Sequence, residues 1–205
     1  MVLMAGFLEV LLKSKWFILS LLLLPILSII LEGLQGGFSA NPVEFVQLET
    51  GKYTLLLLLV TLWISPLKVL LPKVKWVKII GRHRRMIGVS SFVYALLHLA
   101  IYLLDASTIE TMLENFSRPF ILSGSIAFFI LLLLAATSTN GMVKKLSAKR
   151  WKNLHRLVYA AVFLVFLHMV AKEKSNILLT LLYFVPLALA ESYRFYHGYA
   201  ANKEK

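Results

Sequence analysis

Apolar residues fall into six long runs along the chain, at approximately 15–32, 53–71, 86–104, 119–137, 155–171 and 177–194. Each approaches the ~20 residues that a helix needs to cross the hydrocarbon core of a bilayer. The pattern predicts an all-α integral membrane protein: a six-transmembrane helix bundle in which residues 1–205 form a single domain. The connections leave no room for a soluble domain, the longest being only about twenty residues.

Punctuation agrees with these limits. Pro119 stands where a first-turn proline is tolerated, with Ser117 as the expected cap. Asn140-Gly141 is expected to terminate the fourth run. Pro25 and Pro186 fall inside runs, where neighbouring helices can repair the freed carbonyls, and are expected to mark kinks. No internal repeat is evident.

Charge orients the bundle. The first connection, "EGLQGGFSANPVEFVQLETGK", carries Glu32, Glu44 and Glu49, and the third, from Asp105 to Arg118, is acidic on balance. The second, "KVLLPKVKWVKIIGRHRR", holds seven Lys or Arg, and the fourth contributes Lys144, Lys145, Lys149, Arg150 and Lys152. Basic loops stay in the cytoplasm. The alternation therefore predicts a multi-pass membrane protein with both termini cytoplasmic. Lys13 and Lys15 ahead of the first run give it the look of a signal peptide. The run is long for that role, however, and Phe38-Ser39-Ala40 is a poor cleavage site. Removing it would also break the charge alternation.

Composition sharpens this picture. The chain is 59% hydrophobic, against about 45–50% in a soluble domain. Its net charge of +12 gathers at the ends of apolar runs, where anionic lipid accounts for it. No basic patch with interleaved aromatics lies outside the runs, which argues against a nucleic-acid partner. With no cysteine, disulfides, iron–sulfur clusters, zinc–thiolate sites and covalent haem attachment are excluded. A redox cofactor would be held by histidine or without covalent bonds.

Histidine supplies the candidate chemistry. His98 lies deep inside the third run, where an imidazole is costly without a partner. It follows Met86 by twelve residues, and His168 follows His155 by thirteen. Both inner histidines thus climb about 18–20 Å from the cytoplasmic side, at 1.5 Å per residue, and reach one level in the outer half of the membrane. Two imidazoles at one level on different helices suit a haem iron bound from both faces, and non-covalent haem b is the cofactor expected. Zinc would want three or four ligands. Ser91 and Ala161 each precede their histidine by seven residues, on the same helical face, where small side chains would let a porphyrin approach. Ordinary helix packing also uses such residues.

A second haem level is expected near the cytoplasm. His155 is its candidate ligand, with Arg84 or His83 opposite. Thirteen residues put His155 about 140° around the helix from His168, so a shared face requires tilt or fraying. Arg85, with its neighbouring arginines, either anchors the helix or pairs with haem propionates. An iron with two histidine ligands has no open site, so its natural task is one-electron transfer. No dinucleotide fingerprint is present, since "GLQGG" has the wrong spacing. Electrons would have to come from a membrane quinol or a separate flavoprotein.

Several stretches carry a resemblance: "TGKYTLLLLLVTLWISPL", "RRMIGVSSFVYALLHLAIYL", "SRPFILSG", "LLLLAATSTNGM" and "WKNLHRLVYAAVFLVFLH". From about Asn41 to Arg194 the chain resembles the MsrQ (YedZ) family, haem-binding membrane subunits of the periplasmic protein-methionine-sulfoxide reductase system. That family lies within the ferric-reductase-like transmembrane superfamily. The resemblance implies that His98, His155 and His168 are haem ligands or candidates, with Arg84 near the cytoplasmic haem. It implies electron delivery to a periplasmic molybdopterin reductase subunit, from quinol or a cytosolic flavin reductase, with flavin mononucleotide (FMN) as an extra cofactor. His83 departs from the family pattern, and the outer loops match less well. Two other readings compete: a stand-alone transmembrane reductase of ferric iron or another small acceptor, and a non-redox transporter or scaffold whose histidines are structural.

Overall fold

The computed structural model describes residues 9–36, 41–105, 109–172 and 175–203, and among them the regular structure is entirely helical. Phe38-Ser39-Ala40 lies outside the described residues. Six membrane-length helices are present among the described residues: α1 (Lys15–Leu34), α2 (Pro42–Leu70), α3 (Lys75–Asp105), α5 (Pro119–Ala136), the broken pair α7 (Ala148–His155) with α8 (Val158–Ala171), and α9 (Ile177–Lys203). Short helices α4 (Ile109–Phe116) and α6 (Asn140–Leu146) lie in connections, and residues 9–13 ahead of α1 are also helical.

The helices outrun the apolar segments. α2 begins at Pro42 and α3 at Lys75, each about eleven residues ahead of its hydrophobic run, and α9 continues to Lys203. Hydropathy marks only the lipid-buried part of a helix, whereas backbone hydrogen bonding continues until a cap ends it. Asn41 supplies such a cap for α2, its side chain accepting from the Glu44 amide at 3.2 Å, with Pro42 in the first turn.

Two sequence expectations need correction. Arg118, not Ser117, occupies the N-cap position of α5, without a side-chain capping bond; proline at 119 drives the residue before it into the extended region (φ −72°, ψ 129°). The Ser117 hydroxyl instead donates to the Glu114 carbonyl. α5 ends at Ala136 with Thr137 as its C-cap, and Asn140 opens α6 behind a Thr139 cap, the Thr139 hydroxyl accepting from the Met142 amide at 3.2 Å.

α2 is the centre of the bundle. It packs most extensively on α3, α5 packs on α8, and α9 closes against both α2 and α8. Leu58 of α2 meets Ala95, Leu131 and Ala161, so one cluster joins four helices. Because lipid is as apolar as leucine, association rests on close packing and interhelical hydrogen bonds. Tyr94 of α3 donates to the Leu22 carbonyl of α1 at 2.8 Å, and Ser91 donates to the Thr54 carbonyl of α2 at 2.9 Å. Leu178, Leu182 and Leu189 of α9 point outward, as expected for a surface solvated by lipid.

Candidate functional site

α3 and α8 bring His98 and His168 together, edge to face. Their ring centres are 6.4 Å apart and their planes nearly perpendicular, at 89°. Each ring is fastened to a different neighbouring helix. His98 Nδ1 donates to the Gln47 carbonyl of α2 at 2.9 Å, and His168 Nδ1 donates to the Phe120 carbonyl of α5 at 2.6 Å. A carbonyl oxygen only accepts, so Nδ1 carries the hydrogen in both rings and Nε2 keeps its lone pair. This is the tautomer a histidine uses to bind metal through Nε2.

Glycine makes the room. A methyl group on Gly124 would lie 2.6 Å from His168 Nδ1, and one on Gly51 would lie 3.0 Å from a carbon of the His98 ring. Any other residue at these positions would push against an imidazole. The two glycines therefore form a cradle that side chains would fill.

The spacing fits a shared metal. With a metal–imidazole bond of about 2 Å, the metal lies about 3 Å from each ring centre, so two opposed ligands stand about 6 Å apart. Two neutral imidazoles suit a low-spin haem iron. Among the described residues no group of three or more His, Asp or Glu is placed to hold a metal ion.

The small residues before the histidines are both fully buried at helix contacts. Ser91 bonds the α2 backbone, and Ala161 sits against Leu58, Ala95 and Leu131. Each lets two helices approach closely.

A second polar level lies toward the end of the bundle that carries the basic connections. His155 is half-buried, its Nε2 is 3.3 Å from the Thr137 hydroxyl, and its ring stacks on Trp151 at 3.9 Å. It does not lie on a continuous fifth helix. The chain turns at Arg156 and Leu157, where amides bond back three residues rather than four. Each tighter residue advances about 120° instead of 100°, so the 140° offset counted on an ideal helix does not hold. Arg84 donates to the Ser65 hydroxyl at 2.7 Å, and its charge reaches His155. His83 Nε2 pairs with the Leu12 carbonyl at 3.0 Å, and the exposed Arg85 donates to the Asn140 side chain. Of the two residues placed opposite His155, Arg84 is thus the one whose charge reaches it, whereas His83 is tied to the N-terminal segment.

Sequence reading passed over several participants. Gln47 and Gly51 fell in what hydropathy assigned to a loop. Gly124 stood inside an apolar run, where an unexplained glycine was the available signal. Tyr159, Glu191 and Arg194 join the second level: Arg194 Nε bonds Glu191 Oε2 at 2.6 Å, and Arg194 Nη2 donates to the Tyr159 hydroxyl at 2.9 Å. Glu191 is buried beside an apolar cleft of about 380 Å³ between α8 and α9.

Comparison with known proteins bears on this geometry. Residues 50–166 match the ferric reductase like transmembrane component family. The chain is 42% identical to the protein-methionine-sulfoxide reductase heme-binding subunit MsrQ of Ralstonia nicotianae, over 72% of this chain and 68% of that protein. It is 44% identical to the MsrQ of Herminiimonas arsenicoxydans, over 77% and 71%. It is also 34% identical to magnetosome protein MamZ of Magnetospirillum gryphiswaldense, over 82% of this chain but 26% of that longer protein. No solved structure matches.

Proposed function

The chain belongs to the MsrQ family of ferric-reductase-like transmembrane proteins, and from that premise we propose that it is a b-type cytochrome subunit relaying electrons across the membrane. The observation that carries this reading is the facing pair, His98 and His168, each with Nε2 left free by an Nδ1 anchor.

These two residues would hold haem b. Bound there, the group would supply one-electron transfer. The protein's own contribution is orientation. The backbone anchors fix each imidazole, the glycines admit it, and the surrounding helices exclude water. Fixed ligands keep the reorganisation on electron transfer small.

A second haem at the His155 level, with Arg84 beside it, would extend the route toward the basic end. By the positive-inside rule that end is cytoplasmic, both termini lie there, and the membrane is the inner membrane. The electrons enter from quinol or a cytosolic flavin reductase, FMN serving as an added cofactor in the latter case. They leave to a periplasmic molybdopterin reductase that acts on protein methionine sulfoxide.

The test is an oxidised and dithionite-reduced absorption spectrum of detergent-purified protein, followed by addition of the reductase partner and methionine sulfoxide. The reading expects low-spin b-type bands that reoxidise only when partner and sulfoxide are both present. A colourless protein would overturn it. Reoxidation by a ferric chelate alone would favour a stand-alone reductase, the alternative that the ferric-reductase family match keeps in view.

A further inference from the structure

The two histidine anchors are built on the same six-residue device. In "VQLETG" (46–51) Thr50 Oγ1 shares its one hydrogen between the Val46 carbonyl at 2.8 Å and the Gln47 carbonyl at 3.1 Å. In "PFILSG" (119–124) Ser123 Oγ shares its one hydrogen between the Pro119 carbonyl at 2.8 Å and the Phe120 carbonyl at 3.1 Å. In each case the second acceptor is the carbonyl that takes the histidine Nδ1 hydrogen. In each case the residue after the hydroxyl is the glycine against which the ring rests. Thr50 and Ser123 are both buried, at 2% and 7% exposure. The six residues share only the hydroxyl and the glycine, so no repeat is visible in the sequence.

We propose that Thr50 and Ser123 are positioning residues that set the donor strength of His98 and His168 through the shared carbonyls. A carbonyl oxygen has two lone pairs. Here it serves the helix ladder, the hydroxyl and the imidazole together, so the hydroxyl limits what the imidazole N–H receives. A stronger bond at Nδ1 makes Nε2 a better electron donor to a bound metal. That favours the oxidised state. The hydroxyls therefore hold the imidazoles less basic than a carbonyl anchor alone would make them, and they raise the reduction potential of what the imidazoles bind.

This inference rests on the reading of His98 and His168 as haem ligands, and it is tested on haem-loaded protein whose b-type bands are intact. Thr50→Val and Ser123→Ala remove the hydroxyls, and Thr50→Ser and Ser123→Thr retain them. Spectroelectrochemical titration should place the midpoint lower in Thr50→Val and in Ser123→Ala. The expected change is on the order of threefold in the redox equilibrium, about 28 mV at 59 mV per decade for one electron. The hydroxyl-retaining variants should keep the wild-type midpoint, whereas a pure packing role would leave Thr50→Val unchanged, since valine matches threonine in shape, and would shift Thr50→Ser, which loses the methyl. An unchanged or raised midpoint in both hydroxyl-free variants would overturn the inference while leaving the ligand assignment standing. Loss of the ligand assignment would show itself separately, as a b-type spectrum left unchanged by His98→Ala and by His168→Ala.

Discussion

His98 and His168 stand edge to face with ring centres 6.4 Å apart, and each is oriented by a bond to the main chain of a neighbouring helix. Both Nδ1 anchors are main-chain carbonyls, of Gln47 and Phe120. Substituting those two side chains should therefore leave the anchors in place. Gln47→Ala and Phe120→Leu are expected to keep the wild-type haem-to-protein ratio, measured as pyridine haemochromogen against protein mass.

The glycines should be far less tolerant. Gly124→Ala brings a methyl closer to its imidazole than Gly51→Ala does, 2.6 Å against 3.0 Å. Overpacking of this kind costs about 1–3 kcal/mol. Haem occupancy should fall in both variants and further in Gly124→Ala. Gly141→Ala and Gly198→Ala, where nothing lies within 4 Å of the added carbon, serve as unaffected controls.

Packing between α1, α2 and α3 predicts modest losses of stability. Tyr94→Phe removes the bond to the Leu22 carbonyl, and Ser91→Ala removes the bond to the Thr54 carbonyl. Hydrogen bonds between membrane helices average about 0.6 kcal/mol. Each variant should unfold only a few degrees lower in detergent by scanning fluorimetry. Ser91→Val, which wedges a fully buried contact apart, should lose distinctly more.

The second level makes its own prediction. If His155 ligates a haem, His155→Ala lowers the haem-to-protein ratio from about two to about one, and the bands that depend on His98 persist. A wild-type ratio near one, unchanged by His155→Ala, removes the second haem.

What the sequence made legible follows from what hydropathy measures. Six membrane-length helices were readable because lipid demands long apolar runs. The common level of His98 and His168 was readable because both helices start from basic connections and climb by nearly the same count. The anchors were not readable, because α2 continues as a helix through polar residues that a hydropathy window excludes, and Gln47 and Gly51 lie there. Nor was the position of His155, since counting at 100° per residue cannot foresee the tighter turn at Arg156 and Leu157. Glu191 and Arg194 were hidden for a related reason. Near the end of an apolar run they look like interfacial charges, and only the fold shows Glu191 buried and paired.

The most direct test of the account is the absorption spectrum of two single variants, His98→Ala and His168→Ala, each purified and reduced with dithionite. The account predicts that either substitution abolishes the same set of low-spin b-type bands, because the two imidazoles share one iron. A spectrum that either variant leaves unchanged would contradict it.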